Sequence, residues 1–413
     1  MILVTGVSGS TGGAVAEALS RAGQPFRAMV RSEAKPGQVE ADFGNPAQLR
    51  AALEGIGTVF LVCSPIPELV ALESNVIDAC LAAGVKHVVL NSALGAGDYD
   101  KSFPSWHRRV EDKLVASGLG YTILRPNGFL QNLVAYNAPS IRAQGAFYAA
   151  MGDAKTSLLD VRDVAAAAVT VLLNPAGHAG KVYELNGPEA LSQAEIAARI
   201  SLAADRLVRY VDIPEEAQRN SMLGLGMPVW QVDALIDLQR YYTSGKAAAV
   251  TDVLETLLGR APVTIDAFLA EFRDRFLPVN SKTGFTSAES REFVRNHFEE
   301  FVNRKNLDIA DVNFAPEFVD HGSDVPPGLP PGPAGAKAYV GGAYQKFPDI
   351  HVEILDLVAD DDRVVVRNRW TGTESSSGKR YEFSGIVIWR IAHRRLMERW
   401  ACLTPAHEVG GAG

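Results

Sequence analysis

The chain has 413 residues, 47% of them hydrophobic and 21% charged, with 40 basic against 48 acidic side chains and a net charge of -8. That length exceeds what one hydrophobic core usually serves, so two domains are expected. No apolar run reaches the ~18 residues of a membrane span, no basic leader precedes an apolar segment, and no long basic run favours nucleic acid; the expectation is a cytoplasmic protein with neither membrane nor nucleic acid as partner.

Residues Thr5 to Gly13 read Thr-Gly-Val-Ser-Gly-Ser-Thr-Gly-Gly, directly after the apolar run Met1 to Val4 and before a helical pattern from Ala14 to Ala22. Gly6, Gly9 and Gly12 form the Gly-x-x-Gly-x-x-Gly spacing in which a strand turns tightly into a helix whose N-terminus faces a pyrophosphate. A strand at Phe26 to Val30 closes a beta-alpha-beta unit, so Gly6, Ser8, Gly9, Ser10, Thr11 and Gly12 are candidate dinucleotide contacts. Arg31 ends that second strand, where a guanidinium suits the 2'-phosphate of NADP(H); a solvated strand-end arginine is the alternative. Further beta-rich runs at Thr58 to Cys63, Val85 to Leu90 and Tyr121 to Leu124 alternate with helical patterns, which predicts a doubly wound parallel sheet. Ser64 follows the first of these runs, at the carboxyl edge where such sheets bind ligands. The pattern then loosens, with strands expected at Leu158 to Val161 and Val182 to Leu185 and helices out to Phe276, as in a substrate lobe. Cys63, Cys80 and Cys402 form no spaced metal or redox motif, and no metal site is expected.

The segment around 278–286 is rich in Pro, Ser, Thr and Gly and reads as a linker between a first domain, 1–277, and a second, 287–406. The second opens with helical stretches and then changes period. Val352 to Val358, Arg363 to Gly372, Tyr381 to Ile391 and Leu396 to Cys402 are consecutive strand candidates with short connections, hence antiparallel. Helices followed by a meander predict an alpha+beta cone with an open end. Period two puts Asn368 and Trp370 on one strand face, and Glu398, Trp400 and Cys402 together on one face of another.

With the glycine loop, Arg31, Asp42-Phe43-Gly44-Asn45-Pro46, Asn91-Ser92, Tyr121-Thr-Ile-Leu-Arg-Pro126, Gly128-Phe-Leu-Gln-Asn132 and Tyr183-Glu-Leu-Asn-Gly-Pro188 in order, the first domain resembles the NmrA-like branch of the atypical short-chain dehydrogenases/reductases. The resemblance implies NADP(H) on a Rossmann sheet, with members that reduce quinones or other small electrophilic carbonyls and members that only sense the nucleotide. It also implies that Asp42 and Phe43 line the adenine edge, that Ser92 can bond substrate oxygen, and that Asn127 borders the substrate pocket. The Tyr-x-x-x-Lys proton relay of short-chain dehydrogenases is replaced by Trp106-His-Arg-Arg-Val-Glu-Asp-Lys113, with His107 and Glu111 in the two motif positions. Either His107 oriented by Glu111 donates a proton, or the two form an i,i+4 ion pair on the helix surface.

Phe318-Val-Asp-His321, Phe347-Pro-Asp-Ile350, Asp361-Asp-Arg-Val-Val-Val-Arg367, Trp370-Thr-Gly-Thr373 and Glu398-Arg-Trp400 resemble the SnoaL-like polyketide cyclases of the NTF2-like superfamily. The resemblance implies acid/base ring chemistry, ligand binding in the cone, or a homodimer through this domain. His321 and Glu398 are the candidate acid/base groups, and Asp320, Trp370 and Trp400 candidate substrate contacts. Thr404 stands where such proteins often carry an aspartate, which argues against a carboxylate-driven cyclisation. The combined expectation is an NADPH-dependent reductase of a quinone-like or aromatic polyketide intermediate in secondary metabolism. A nucleotide-sensing scaffold that turns nothing over is the competing reading.

Overall fold

The computed structural model describes residues 1–278 and 282–409; residues 279–281, inside the expected linker, lie outside the described residues. The chain divides into two compact units, Met1–Phe276 and Leu277–Gly413.

In the first unit β1 (Ile2–Val4), α1 (Ser10–Arg21), β2 (Phe26–Val30), β3 (Gln38–Glu40), α2 (Pro46–Ala52), β4 (Thr58–Leu61), α3 (Leu69–Ala83), β5 (His87–Asn91), α4 (Ser102–Ala116) and β6 (Gly120–Pro126) alternate, except that β3 follows β2 with no helix between them. There follow α5 (Ala138–Gln144), β7 (Ala146–Ala149), β8 (Lys155–Thr156), α6 (Val161–Leu173) and β9 (Lys181–Leu185). The main sheet has the order β3-β2-β1-β4-β5-β6-β9 with every pairing parallel. Alternate residues of one strand feed opposite cores: Leu3, Val59, Leu61, Val88 and Leu90 pack under α2, α3 and α4, whereas Val4, Phe60 and Val89 meet α1 and α6. A sheet buried on both faces needs such continuous apolar runs. Because all strands are parallel, their carboxyl ends share one edge, and the chain order reverses between β1 and β4, which opens a crevice there.

The lobe adds β10 (Leu191–Ser192), α7 (Gln193–Ala204), β11 (Arg209–Asp212), α8 (Glu215–Gly224), α9 (Val229–Thr243), α10 (Val253–Leu258) and α11 (Ile265–Glu271). One strand expectation fails. Leu158 to Val161 makes only an isolated bridge, Phe129 to Leu159, because Asp160 caps α6 through the Arg162 N–H and starts the helix at Val161.

The second unit contains α12 (Ser287–Phe298), α13 (Ile309–Asn313), β12 (Phe314–Asp320), α14 (Gly332–Lys346), β13 (His351–Asp360), β14 (Arg363–Thr373), β15 (Arg380–Ala392), β16 (Arg395–Leu403) and β17 (His407–Glu408). Thr286 and Glu289 form a reciprocal capping box at the start of α12. The four expected strands pair antiparallel in sequence order. A strand missing from the sequence reading, β12, adds in parallel to β16 and carries Asp320 to the sheet edge. Inward residues such as Val364, Val366, Trp389 and Leu396 pack on Phe298, Phe301 and Phe314 from the helical side. Opposite them, Arg367 and Arg369 pair with Asp356 and Glu353 on the outer face.

Candidate functional site

Gly6 sits at φ +60°, a backbone conformation glycine adopts without strain, and a Cβ there would lie 2.8 Å from Val62 Cγ1. At Gly12 a Cβ would lie 2.3 Å from the Gly6 carbonyl oxygen and 2.5 Å from that of Thr5, so only glycine lets α1 approach β1 this closely. Thr5 fastens the loop to β4, its hydroxyl accepting from the Val62 N–H at 2.9 Å. Gly9 is the N-cap of α1 and no side chain caps the helix. Its first N–H groups therefore point out of the crevice mouth at exposed Ser8, Gly9 and Ser10, an arrangement that fits a pyrophosphate. Thr11, by contrast, is buried against the protein.

Arg31 is exposed just past β2, with no carboxylate in ion-pair range among the described residues. Asp42 is exposed nearby and braces its own turn, its Oδ1 accepting from the Gly44 N–H at 2.7 Å; Asn45 caps α2. Phe43 packs partly into the core below α2 and α3. Ser64 is exposed beyond the end of β4. Gly6, Gly9, Arg31, Asp42 and Ser64 thus all lie at the carboxyl edge of the sheet, and the donors present suit a dinucleotide: open helix N–H groups for the diphosphate and a free guanidinium beyond β2. Behind Cys63, on α3, Glu73 is fully buried with neither carboxylate oxygen hydrogen-bonded. Burial raises its carboxyl to about 8, and burial together with that neighbour pushes the Cys63 thiol up to about 12, so this cysteine is no nucleophile.

At the carboxyl ends of β5 and β6 the helix α4 brings a different group together. The Ser92 hydroxyl donates to Glu111 Oε1 at 2.5 Å, while Arg125 clamps both oxygens of the same carboxylate, Nε to Oε1 at 2.9 Å and Nη2 to Oε2 at 2.6 Å. Ser92 and Glu111 are only 2% and 3% exposed. Arg125 also reaches Glu184 at 3.4 Å. The expected His107–Glu111 pair does not form, because Ser92 and Arg125 occupy the carboxylate. His107 lies buried on α4 with Nδ1 unpartnered, and burial lowers its imidazole to about 4. It is neutral at physiological pH, neither proton donor nor surface ion pair. Asn127 is likewise no pocket residue: its Nδ2 donates to Ser157 Oγ, Asn186 Oδ1 and the Ala247 carbonyl within 3.1 Å, tying β6 to the lobe.

The second unit encloses a cavity of about 580 Å³. Its polar wall is a cluster the sequence reading missed. Arg399 binds Asp320 at 2.9 and 3.0 Å and Asp324 at 2.8 Å, and Tyr339 donates its hydroxyl to Asp324. Desolvation would weaken the Arg399 charge, yet the facing carboxylates hold it protonated. His297, 2% exposed, lines the cavity beside Asn313; burial first, and Arg399 second, lower it to about 3.

Asp320 and Trp370 line this cavity; His321, Glu398 and Trp400 do not. Arg399 and Leu403 form the inward row of β16, so period two turns Glu398, Trp400 and Cys402 outward. There Glu398 meets His321 at 3.0 Å and Arg390 at 2.5 Å, and the His321 ring stacks on Trp400 at 4.9 Å. Glu398 therefore lines neither this cavity nor the separate recess of about 400 Å³ beside the Pro-rich loop, which His321 borders together with Asp320 and Tyr339. The parity of Arg399, flanked by Glu398 and Trp400, was the signal that could have found the true lining residue.

A glycine-cradled Rossmann edge beside a lobe defines a dinucleotide-binding fold. Residues 1–269 match the NmrA-like family, to which the chain belongs, and residues 294–399 match the SnoaL-like domain. Among curated proteins the chain is 38% identical over 277 residues to the NAD(P)H azoreductase of Xenophilus azovorans, covering 65% of this chain and 96% of that one. It is 32% identical to quinone oxidoreductase 2 of Escherichia coli, covering 64% of this chain and 96% of the relative. The crystal structure of that NADPH-dependent quinone oxidoreductase with NADPH superposes with a TM-score of 0.62 at 31% identity, over 66% of this chain and 99% of the other. No helix among the described residues is long and apolar enough to cross a membrane.

Proposed function

We propose that the first unit is an NADPH-dependent reductase of acceptors that need no acid from the protein, quinones and azo compounds foremost. The observation that carries this reading is the Ser92–Glu111–Arg125 arrangement: the Ser92 hydrogen is taken by Glu111, so Ser92 offers only an oxygen lone pair to a ligand and cannot protonate a carbonyl. His107 is neutral and buried, and α4 carries no Tyr-x-x-x-Lys pair. A bound NADPH supplies the hydride. Gly6, Gly9 and Gly12 would shape its seat, the N-terminus of α1 would meet its diphosphate, and Arg31 would meet the 2'-phosphate. Water protonates a quinone-derived oxyanion readily, whereas an unactivated ketone demands a positioned acid. The azoreductase and quinone oxidoreductase names of the relatives support the same reading. The SnoaL-like unit is a ligand-binding module, and the acceptor proposed for the fusion is a quinone-type or aromatic polyketide intermediate of secondary metabolism.

The test is NADPH oxidation followed by absorbance with benzoquinone, naphthoquinones and an azo dye, against cyclohexanone as the acid-demanding control. Turnover of the first group alone is expected. NADPH binding with no oxidation of any acceptor would refute the reductase reading and favour the nucleotide sensor, which the missing proton relay also suits. Arg31→Ala should weaken NADPH far more than NADH; equal losses would remove the phosphate role.

A further inference from the structure

The cavity of the second unit has an unbalanced wall. Two carboxylates, Asp320 and Asp324, face a single guanidinium, Arg399. Arg399 itself is almost fully enclosed, and Asp324 Oδ1 has no hydrogen-bond partner. Among the described residues the other charged side chain on the lining is Lys346, which is 62% exposed and lies 3.6 Å from Glu374, so its charge stays in solvent. His297 is neutral, and Tyr339 keeps its proton because burial and the adjoining Asp324 carboxylate hold the phenol well above its ordinary value. One negative charge in excess therefore borders a space otherwise walled mainly by apolar carbon, both aliphatic and aromatic, the latter including Phe298, Trp370, Phe383 and Trp389. Trp370 and Phe383 stack parallel, 5.8 Å between centroids and 5° between planes.

An enclosed excess charge is costly unless something of opposite sign meets it. Aromatic faces carry negative quadrupole potential and favour the same sign of ligand. We propose that this cavity binds an organic monocation, a polycyclic aromatic ammonium, iminium or N-alkylated heteroaromatic, with its charge toward Asp320 and Asp324 and its rings against the aromatic wall. The proposal rests on the reading of this unit as a ligand-binding module and commits it to a charge type. A neutral aromatic carbonyl compound is the competing occupant, and it would gain nothing from the second carboxylate.

The experiment uses the full chain without nucleotide, titrated with N-methylacridinium and with neutral acridine, two tricycles of nearly equal size, at a pH where acridine is unprotonated. Isothermal calorimetry reads both. The cation should bind at least about tenfold tighter, the scale of a partly desolvated charge and cation-π contact. Asp324→Asn should cut that preference to roughly twofold or less by making the wall neutral. Should this variant unfold by circular dichroism, Ala343→Trp, off the ionic cluster but on the cavity lining, provides the location test and should abolish binding of both probes. Equal affinity for the two tricycles, an undiminished preference in Asp324→Asn, or persistent binding in Ala343→Trp would each overturn the proposal. Quinone-dependent NADPH oxidation, assayed in parallel on the wild type, reads the first unit independently, so failure of the reductase reading and failure of this one are separable.

Discussion

Replacing Glu73 isolates a pH effect built into the first unit. The side chain is fully buried on α3, neither oxygen has a hydrogen-bond partner, and the carboxyl stands at about 8 against an ordinary 4.5. Burial is the main cause, and the nearby Cys63 backbone N–H, which falls short of a hydrogen bond, offsets it only partly. The folded protein then holds a proton that the unfolded chain releases above the ordinary carboxylate range, so stability is greatest below 4.5 and declines as pH rises to about 8, where folded Glu73 also ionises. At about 1.36 kcal/mol per pH unit, the interval corresponds to several kcal/mol, on the order of 5 as an upper figure. Glu73→Met keeps the volume and removes the titrating group. Urea unfolding of wild type and variant at pH steps across that interval should show the wild-type stability falling relative to the variant by several kcal/mol. A difference that stays flat with pH, or that grows in the wild type's favour toward alkaline pH, would refute the reasoning.

Three further outcomes follow from the same geometry. Gly12→Ala puts a Cβ 2.3 Å from a backbone oxygen that cannot rotate away, so the loop must shift: a loss of about 1–3 kcal/mol in stability is expected, with NADPH affinity by calorimetry falling at least about tenfold. An unchanged dissociation constant would sink the close-approach argument. His107 is already neutral above about 4, so the pH profile of kcat/KM should lack an inflection near the ordinary imidazole value, and His107→Leu should hold turnover within roughly twofold; a tenfold loss would restore it to the mechanism. Glu111→Ala leaves the Arg125 guanidinium, 14% exposed, with only its long contact to Glu184, at a cost of about 3 kcal/mol in thermal or urea unfolding. A loss below about 0.5 kcal/mol would mean that solvent reaches Arg125 freely.

The first unit was legible because its signals are local. A strand, a glycine turn and a helix lie within the first 21 residues, and the apolar runs of β4 and β5 need no distant partner to declare a buried strand. Where local signals compete, the reading slipped: Leu158 and Leu159 look like a strand, but Asp160 is a stronger helix start. The strand β12 escaped because Pro316 and Glu317 interrupt its apolar pattern, and its pairing with β16 lies some eighty residues away in the chain. In the second unit the alternation of β14 placed Asn368 and Trp370 together correctly, and that of β16 grouped Glu398 with Trp400 and Cys402, but period two alone does not say which row faces inward, so Glu398 as a pocket group rested on a parity the pattern left open.

The Ser92–Glu111–Arg125 group shows why site chemistry was harder to read than fold. Its members come from β5, α4 and β6, and two positions of a helix that look like a pair by spacing are divided by which neighbour each one meets. Spacing of four puts His107 and Glu111 near the same face, but a carboxylate offered a guanidinium and a hydroxyl is saturated by them. Once saturated, it pulls the serine hydrogen away from the ligand side and leaves the histidine in an apolar niche where only its neutral form is stable. The same three contacts therefore remove both candidate proton donors at once. What such a site can still reduce is an acceptor whose product anion survives until water reaches it, and that requirement selects electrophilic, conjugated molecules over simple ketones.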